Sequence, residues 1–145
     1  MKSKIVVAFT VVFSAILLAF SSNLKEAEGS VEAAGKCAIP PFKEAFQAAS
    51  KVFVGAVKSE RKEGNTRIFE FEVEKYWKGA SGRKIEISVY ETARYQAWFK
   101  VGGKYLVYAE TDEDKAFRVD RCSRSRDASD AADDLKKLGK GKRPG

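Results

Sequence analysis

Histidine is absent from the 145 residues, and cysteine occurs only twice, at Cys37 and Cys122. Without imidazole there is no Ser-His-Asp or Cys-His nucleophile pair and no ordinary His-ligated zinc site. Two cysteines cannot build a Cys-rich metal centre. An enzyme would have to rely on carboxylates, lysine or tyrosine, and no clustered set of those stands out. The expectation is a non-enzyme with no cofactor and no metal site of its own. Long apolar runs are scarce too. The single one, Ile5 through Phe20, is shorter than the roughly 20 residues of a spanning helix.

That run follows Lys2 and Lys4 and is followed by Ser21, Ser22 and Asn23. A basic start, an apolar stretch and a small polar flank are the marks of a signal peptide. Cleavage after Ser21 is expected, with Ala27 and Gly29 as a second candidate and an uncleaved anchor as the alternative. Lys36, directly before Cys37, argues against a lipobox. Residues 1–21 are thus assigned as signal peptide, and a secreted, extracellular location is expected. Residues 22–36, rich in Glu, Ala, Ser and Gly, read as a flexible leader. Removing the signal peptide alone leaves about 120 residues, enough for one core. In an oxidising compartment Cys37 and Cys122 would bridge, against the rival reading of two free buried thiols. In a chain-entropy model a loop that long contributes up to about 4 kcal/mol.

The formal charge is +7. One concentration of cations is Arg118, Arg121, Arg124 and Arg126; the other is Lys136, Lys137, Lys140, Lys142 and Arg143. A basic surface attracts anionic glycans, membranes or nucleic acid, and export makes nucleic acid the least fitting. A solvated surface is the plainer reading.

Along the chain, Phe42, Ala45, Phe46 and Ala49 fall on one helical stripe after Pro40 and Pro41. Val52–Val57 is a short apolar run, expected to be a central strand with a bulge at Gly55. Residues 58–66, with Gly64 and Asn65, read as a hairpin loop. Phe69, Phe71 and Val73 then alternate with Glu70, Glu72 and Glu74, and Ile85, Ile87 and Val89 alternate with Lys84, Glu86 and Ser88. The three glutamates are taken as a solvated face. Tyr105–Ala109 is a fourth strand and Phe117–Arg121 a fifth, separated by an acidic turn that lacks an EF-hand pattern. Asp127 is a natural N-cap for a helix whose apolar positions are Ala128, Ala131, Ala132, Leu135 and Leu138, ended by Gly139. Residues 140–145 read as a basic disordered tail. Helix, five strands, helix predicts a mainly β fold: a five-stranded OB-type Greek-key barrel over residues 37–139 with a short N-terminal and a C-terminal helix.

The succession Cys37-Ala38-Ile39-Pro40-Pro41, Ala45-Phe46, Val52-Phe53-Val54-Gly55, Tyr76-Trp77-Lys78-Gly79, Phe99-Lys100-Val101-Gly102, Tyr105-Leu106-Val107-Tyr108-Ala109 and Cys122-Ser123-Arg124-Ser125 resembles the tissue inhibitors of metalloproteinases. It is most similar to the short bacterial members that have only the netrin-like OB barrel. The resemblance implies a secreted metalloendopeptidase inhibitor acting through its N-terminal segment. In the family a terminal C-x-C segment chelates the protease zinc through its α-amine and carbonyl, and the next residue enters the specificity pocket. Cys37 matches the second cysteine, Gly35 stands where the first would be and Lys36 at the pocket position, so Gly35, Lys36, Cys37 and Ala38 form the candidate inhibitory segment. Such a chain would need trimming to Gly35. The family partner of the missing first cysteine, near Tyr95 and Gln96, is missing as well, while Cys37 and Cys122 match the other family disulfide. The alternative is an extracytoplasmic binding module for anionic glycans or a protein partner, with Tyr95, Trp98, Arg118, Arg121 and Arg124 as its surface. Those aromatics read equally as plugs for the barrel end.

Overall fold

The computed structural model describes residues 37–79 and 82–145, so the expected signal peptide and leader, with Gly35 and Lys36, lie outside the described residues. Chain order is α1 (Phe42–Ala48), β1 (Lys51–Glu63), β2 (Thr66–Lys78), β3 (Lys84–Tyr90), β4 (Lys104–Thr111), β5 (Phe117–Arg118), β6 (Arg126–Asp127), a 3₁₀ turn (Ala128–Asp130) and α2 (Ala132–Leu138). The fold is mainly β. Six strands form one sheet in the order β1-β2-β3-β5-β4-β6, and β1 also pairs with β4, which curls the sheet partly into a ring. All pairings are antiparallel except β3 with β5, where the single pair is Ser88 with Arg118.

Residues of β1 to β4 and of the segment before β4 meet inside that ring. Phe53, Phe69, Phe71, Ile87, Val107 and Phe99 are all buried there. Phe99 stands with its ring edge-on to Phe69, Phe71 and Tyr105 at centroid distances of 5.3, 5.2 and 4.8 Å, geometry that favours aromatic pairs. A second core packs α1 and α2 against the outer face of β1 and β4, through Ala45, Val52, Val54, Leu106, Tyr108 and Ala131. β1 and β4 are therefore covered on both faces over residues 52–57 and 105–109. This is why their sequences are continuous apolar runs, while β2 and β3 alternate. On the outer face of β2, Glu70, Glu72 and Glu74 pair with Lys84, Lys58 and Lys104. They form ion pairs at the surface.

The β1–β2 register shifts at Gly55, the bulge expected there, and a Cβ at that position would lie 2.7 Å from the Glu72 carbonyl oxygen. Only glycine allows so close a crossing.

Four expectations about local structure are corrected. The loop at residues 58–66 shrinks to Gly64 and Asn65, because polar residues 58–63 continue β1. Gly64 has φ +59°, and glycine at the first central position suits a two-residue II′ hairpin turn. The fifth strand holds only Phe117 and Arg118, since Asp120 turns the chain by accepting from the Cys122 N–H. A sixth strand of two polar residues, too short to give a periodic signal, follows at β6. The single C-terminal helix divides into the 3₁₀ turn, where the Asp127 carboxylate accepts from Ser129 N–H, and α2.

The expected disordered tail is also tied down. Tyr76 and Lys142 exchange two backbone hydrogen bonds of 2.8 Å, and the Trp77 indole donates to the Gly139 carbonyl at 3.0 Å.

Candidate functional site

Cys37 and Cys122 form a disulfide, with Cα atoms 5.0 Å apart across 85 residues of sequence. The bridge fastens the chain entering α1 to the turn after β5. Two residues after Cys122, Arg124 donates to the carbonyl of Pro40, three residues after Cys37, at 3.1 Å. Between these two anchors Ala38 and Ile39 are exposed, Ile39 by 59%. The segment is thus pinned at both ends and bare in the middle. It borders a cleft of about 550 Å³ lined by Ala38, Pro40, Glu110, Asp112, Asp120 and Ser123 among others.

Arg124 is itself fixed by a fully buried carboxylate. Asp134, on α2, accepts from Arg124 Nε at 2.6 Å and Nη2 at 2.7 Å and from the Tyr108 hydroxyl at 3.2 Å, and forms an ion pair with Arg126 Nη2 at 3.1 Å. Burial alone would raise its pKa; the Arg124 hydrogen bonds and the charges of Arg126 and Arg124 outweigh that and hold it below the ordinary carboxylate range. The Tyr108 hydroxyl is pushed up, by burial first and then by the neighbouring Asp134 charge. Ser125 bonds both backbone groups of Tyr108, at 2.8 and 3.2 Å.

A second polar knot holds the segment from Glu91 to Gly103. Glu91 is buried, with Arg67 Nε at 2.9 Å, Lys62 Nζ at 3.2 Å and the Ala97 backbone N–H at 3.0 Å. Its pKa is lowered to about 2, chiefly by the Arg67 hydrogen bond and then by Ala97. The loop so held places Tyr95 and Trp98 with ring centroids 6.1 Å apart, and Trp98 against Phe99 at 4.7 Å.

The five residues expected as a binding surface separate into three groups. Tyr95, Arg118 and Arg121 line one cleft of about 280 Å³, with Arg121 over the Tyr95 ring at 5.7 Å. Trp98 packs half-buried on the inner core. Arg124 turns away to Asp134, and Arg118 is paired with Asp112 at 2.8 Å. The Tyr95 hydroxyl is buried without a hydrogen-bond partner among the described residues, and burial, with the Asp120 charge, pushes its pKa up to about 12. Of the candidate inhibitory segment, Cys37 and Ala38 lie as described above. Among the described residues no group of His, Cys, Asp and Glu could hold a metal ion, and no helix is long and apolar enough to cross a membrane.

Glu91 and Asp134 were both marked in the sequence by position. Glu91 continues the inward parity of Ile85, Ile87 and Val89, and Asp134 shares the helical face of Ala131 and Leu138. A carboxylate on an apolar stripe signals a buried ion pair.

No protein-family model matches the chain, and no curated protein matches it.

Proposed function

We propose that the chain is a secreted OB-type barrel, partly open between β3 and β5, that inhibits a zinc metalloendopeptidase through its N-terminal segment. It acts by binding, with no chemistry of its own. The observation that carries this reading is the exposed Ala38–Ile39 segment, clamped by the disulfide on one side and by Arg124 on the other. An inhibitor that enters a protease cleft without being cut needs such rigidity, because ordering a loose segment on binding would lose affinity. With the chain trimmed to Gly35, its α-amine and carbonyl would supply two donors to the protease zinc, and Lys36 would point into the adjoining pocket. The disulfide suits an oxidising compartment.

The alternative surface at Tyr95, Trp98, Arg118, Arg121 and Arg124 has less support as a glycan site. Arg124 and Arg118 are matched by Asp134 and Asp112, and Trp98 packs against the inner core.

The test compares three forms of the chain on purified zinc endopeptidases with fluorogenic peptides: one starting at Gly35, one at Gly35 with an acetylated amine, and one starting at Ser22. Inhibition is expected from the first alone, and Ile39→Glu should weaken it about tenfold, or 1.4 kcal/mol. No inhibition by the Gly35 form at micromolar concentration, or equal inhibition by all three, refutes the proposal.

A further inference from the structure

The two basic concentrations in the sequence have different fates. Arg118, Arg124 and Arg126 each face a carboxylate, Asp112 or Asp134, and Arg121 lies over the Tyr95 ring. In contrast, Lys136, Lys140, Lys142 and Arg143 have no carboxylate partner among the described residues. Residues 42–48, 75–79 and 132–143 together carry eight Lys or Arg against three carboxylates, and one of those three, Asp134, is buried against Arg124 and Arg126. Most of the protein's positive excess is therefore gathered on the elements around one site.

At that site, Phe42, Phe46, Trp77 and Leu138 line a small cleft of about 230 Å³ with Lys137 at its rim. Lys137 Nζ lies over the Phe42 ring at 5.5 Å and Lys78 Nζ over the Phe46 ring at 5.3 Å. Lys78 also donates to the Phe46 and Gln47 carbonyls, each at 2.8 Å, so its ammonium is held in place. The tail runs directly beside the indole. A Cβ at Gly141 would come within 2.8 Å of Trp77 Cε2, and Lys142 pairs with Tyr76. Lys140, Lys142 and Arg143 are thereby carried along the edge of the aromatic cleft.

We propose that this face binds an anionic polysaccharide, an interaction independent of the N-terminal segment. The row of cations matches a polymer bearing sulfate, carboxylate or phosphate at intervals, and the cleft accepts the C–H face of one saturated sugar ring. A lipid surface fits less well. Its apolar side chains are sunk in the cleft, and the large exposed hydrophobics, Ile39, Tyr90 and Val101, belong to other segments. A nucleic acid fits less well too, because Lys137 and Lys78 already lie over the Phe42 and Phe46 rings, so the small cleft has room for one ring and no platform for the successive bases of a strand.

The experiment titrates the secreted full chain with dextran sulfate, neutral dextran, phosphatidylglycerol vesicles and single-stranded DNA. Dextran sulfate is expected to bind tightest and neutral dextran not at all. Lys140→Ala, Lys142→Ala and Arg143→Ala combined should weaken dextran sulfate about tenfold or more, against less than about threefold for the charge-matched control Lys58→Ala, Lys104→Ala and Lys115→Ala. Phe42→Ala, with its fold checked by circular dichroism, should weaken it about fivefold, or about 1 kcal/mol. Equal losses in the two triple variants would reduce the effect to net charge and overturn the site. Tighter binding to vesicles or DNA than to dextran sulfate would overturn the choice of ligand.

Discussion

Asp134 and Glu91 are both buried carboxylates facing two cations, yet they join different things. Glu91 works locally: Arg67 and Lys62 come from the adjoining hairpin, and the Ala97 N–H from the loop that Glu91 itself begins. Asp134 works across the whole chain. Through Arg124 it connects α2 to the Pro40 carbonyl, which lies 84 residues before Arg124 in sequence. The first knot shapes a loop over the inner core. The second, with the disulfide, holds the exposed Ala38–Ile39 segment against the sheet. A rigid edge is thus produced by long-range anchors, and loop order by short-range ones.

Removing the long-range anchor should have the larger effect. Asp134→Ala leaves the half-buried Arg124 and Arg126 without a counter-charge, and is expected to lower stability by about 3–5 kcal/mol in urea melts. It should also expose the Cys37–Cys122 bridge to faster reduction, since the Pro40 anchor loosens with Arg124. A loss under about 1 kcal/mol would mean that solvent already screens the network. Cys37→Ser breaks the parallel anchor. Its expected loss is up to about 4 kcal/mol under oxidising conditions and none under reducing ones, read from thermal melts with and without reductant. An equal loss in both conditions would assign the effect to packing rather than to the crosslink.

The parts of this comparison differ in how legible they were. Strands β2 and β3 were plain in the sequence because one face is wet, so Phe69, Phe71, Ile85 and Ile87 alternate with charges. The pair Cys37 and Cys122 was legible by count, there being no other cysteine to choose. The short strands were not, since Arg126–Asp127 is defined by pairing with β4 and has no apolar period of its own. The tail was misread for a related reason: lysines and glycines signal disorder by composition, whereas Gly141 is needed for close approach to Trp77. The arginines near residue 120 were grouped by their charge in sequence. Their role depends on Asp134 and Asp112, partners that only the fold brings to them.

Glu91 provides the smallest and most discriminating test, because its pKa sets a pH window. In the fold its carboxyl titrates at about 2; in the unfolded chain it titrates near its ordinary value, about 4.3. Between those values the unfolded state binds more protons, so stability rises with pH across the window. The contribution is fully present above about pH 5 and is lost as pH falls through about 2. Glu91→Gln removes the charge and keeps the shape, leaving Arg67 with Glu60 alone, and should cost about 2 kcal/mol at pH 7. The gap between wild type and variant should then close as urea midpoints are followed from pH 5 down to pH 2. A gap that stays constant over that range would show that the carboxylate acts through its hydrogen-bond geometry to Ala97 and not through its charge. Tyr95 and Trp98 would then owe their placement to loop shape rather than to the ion pair.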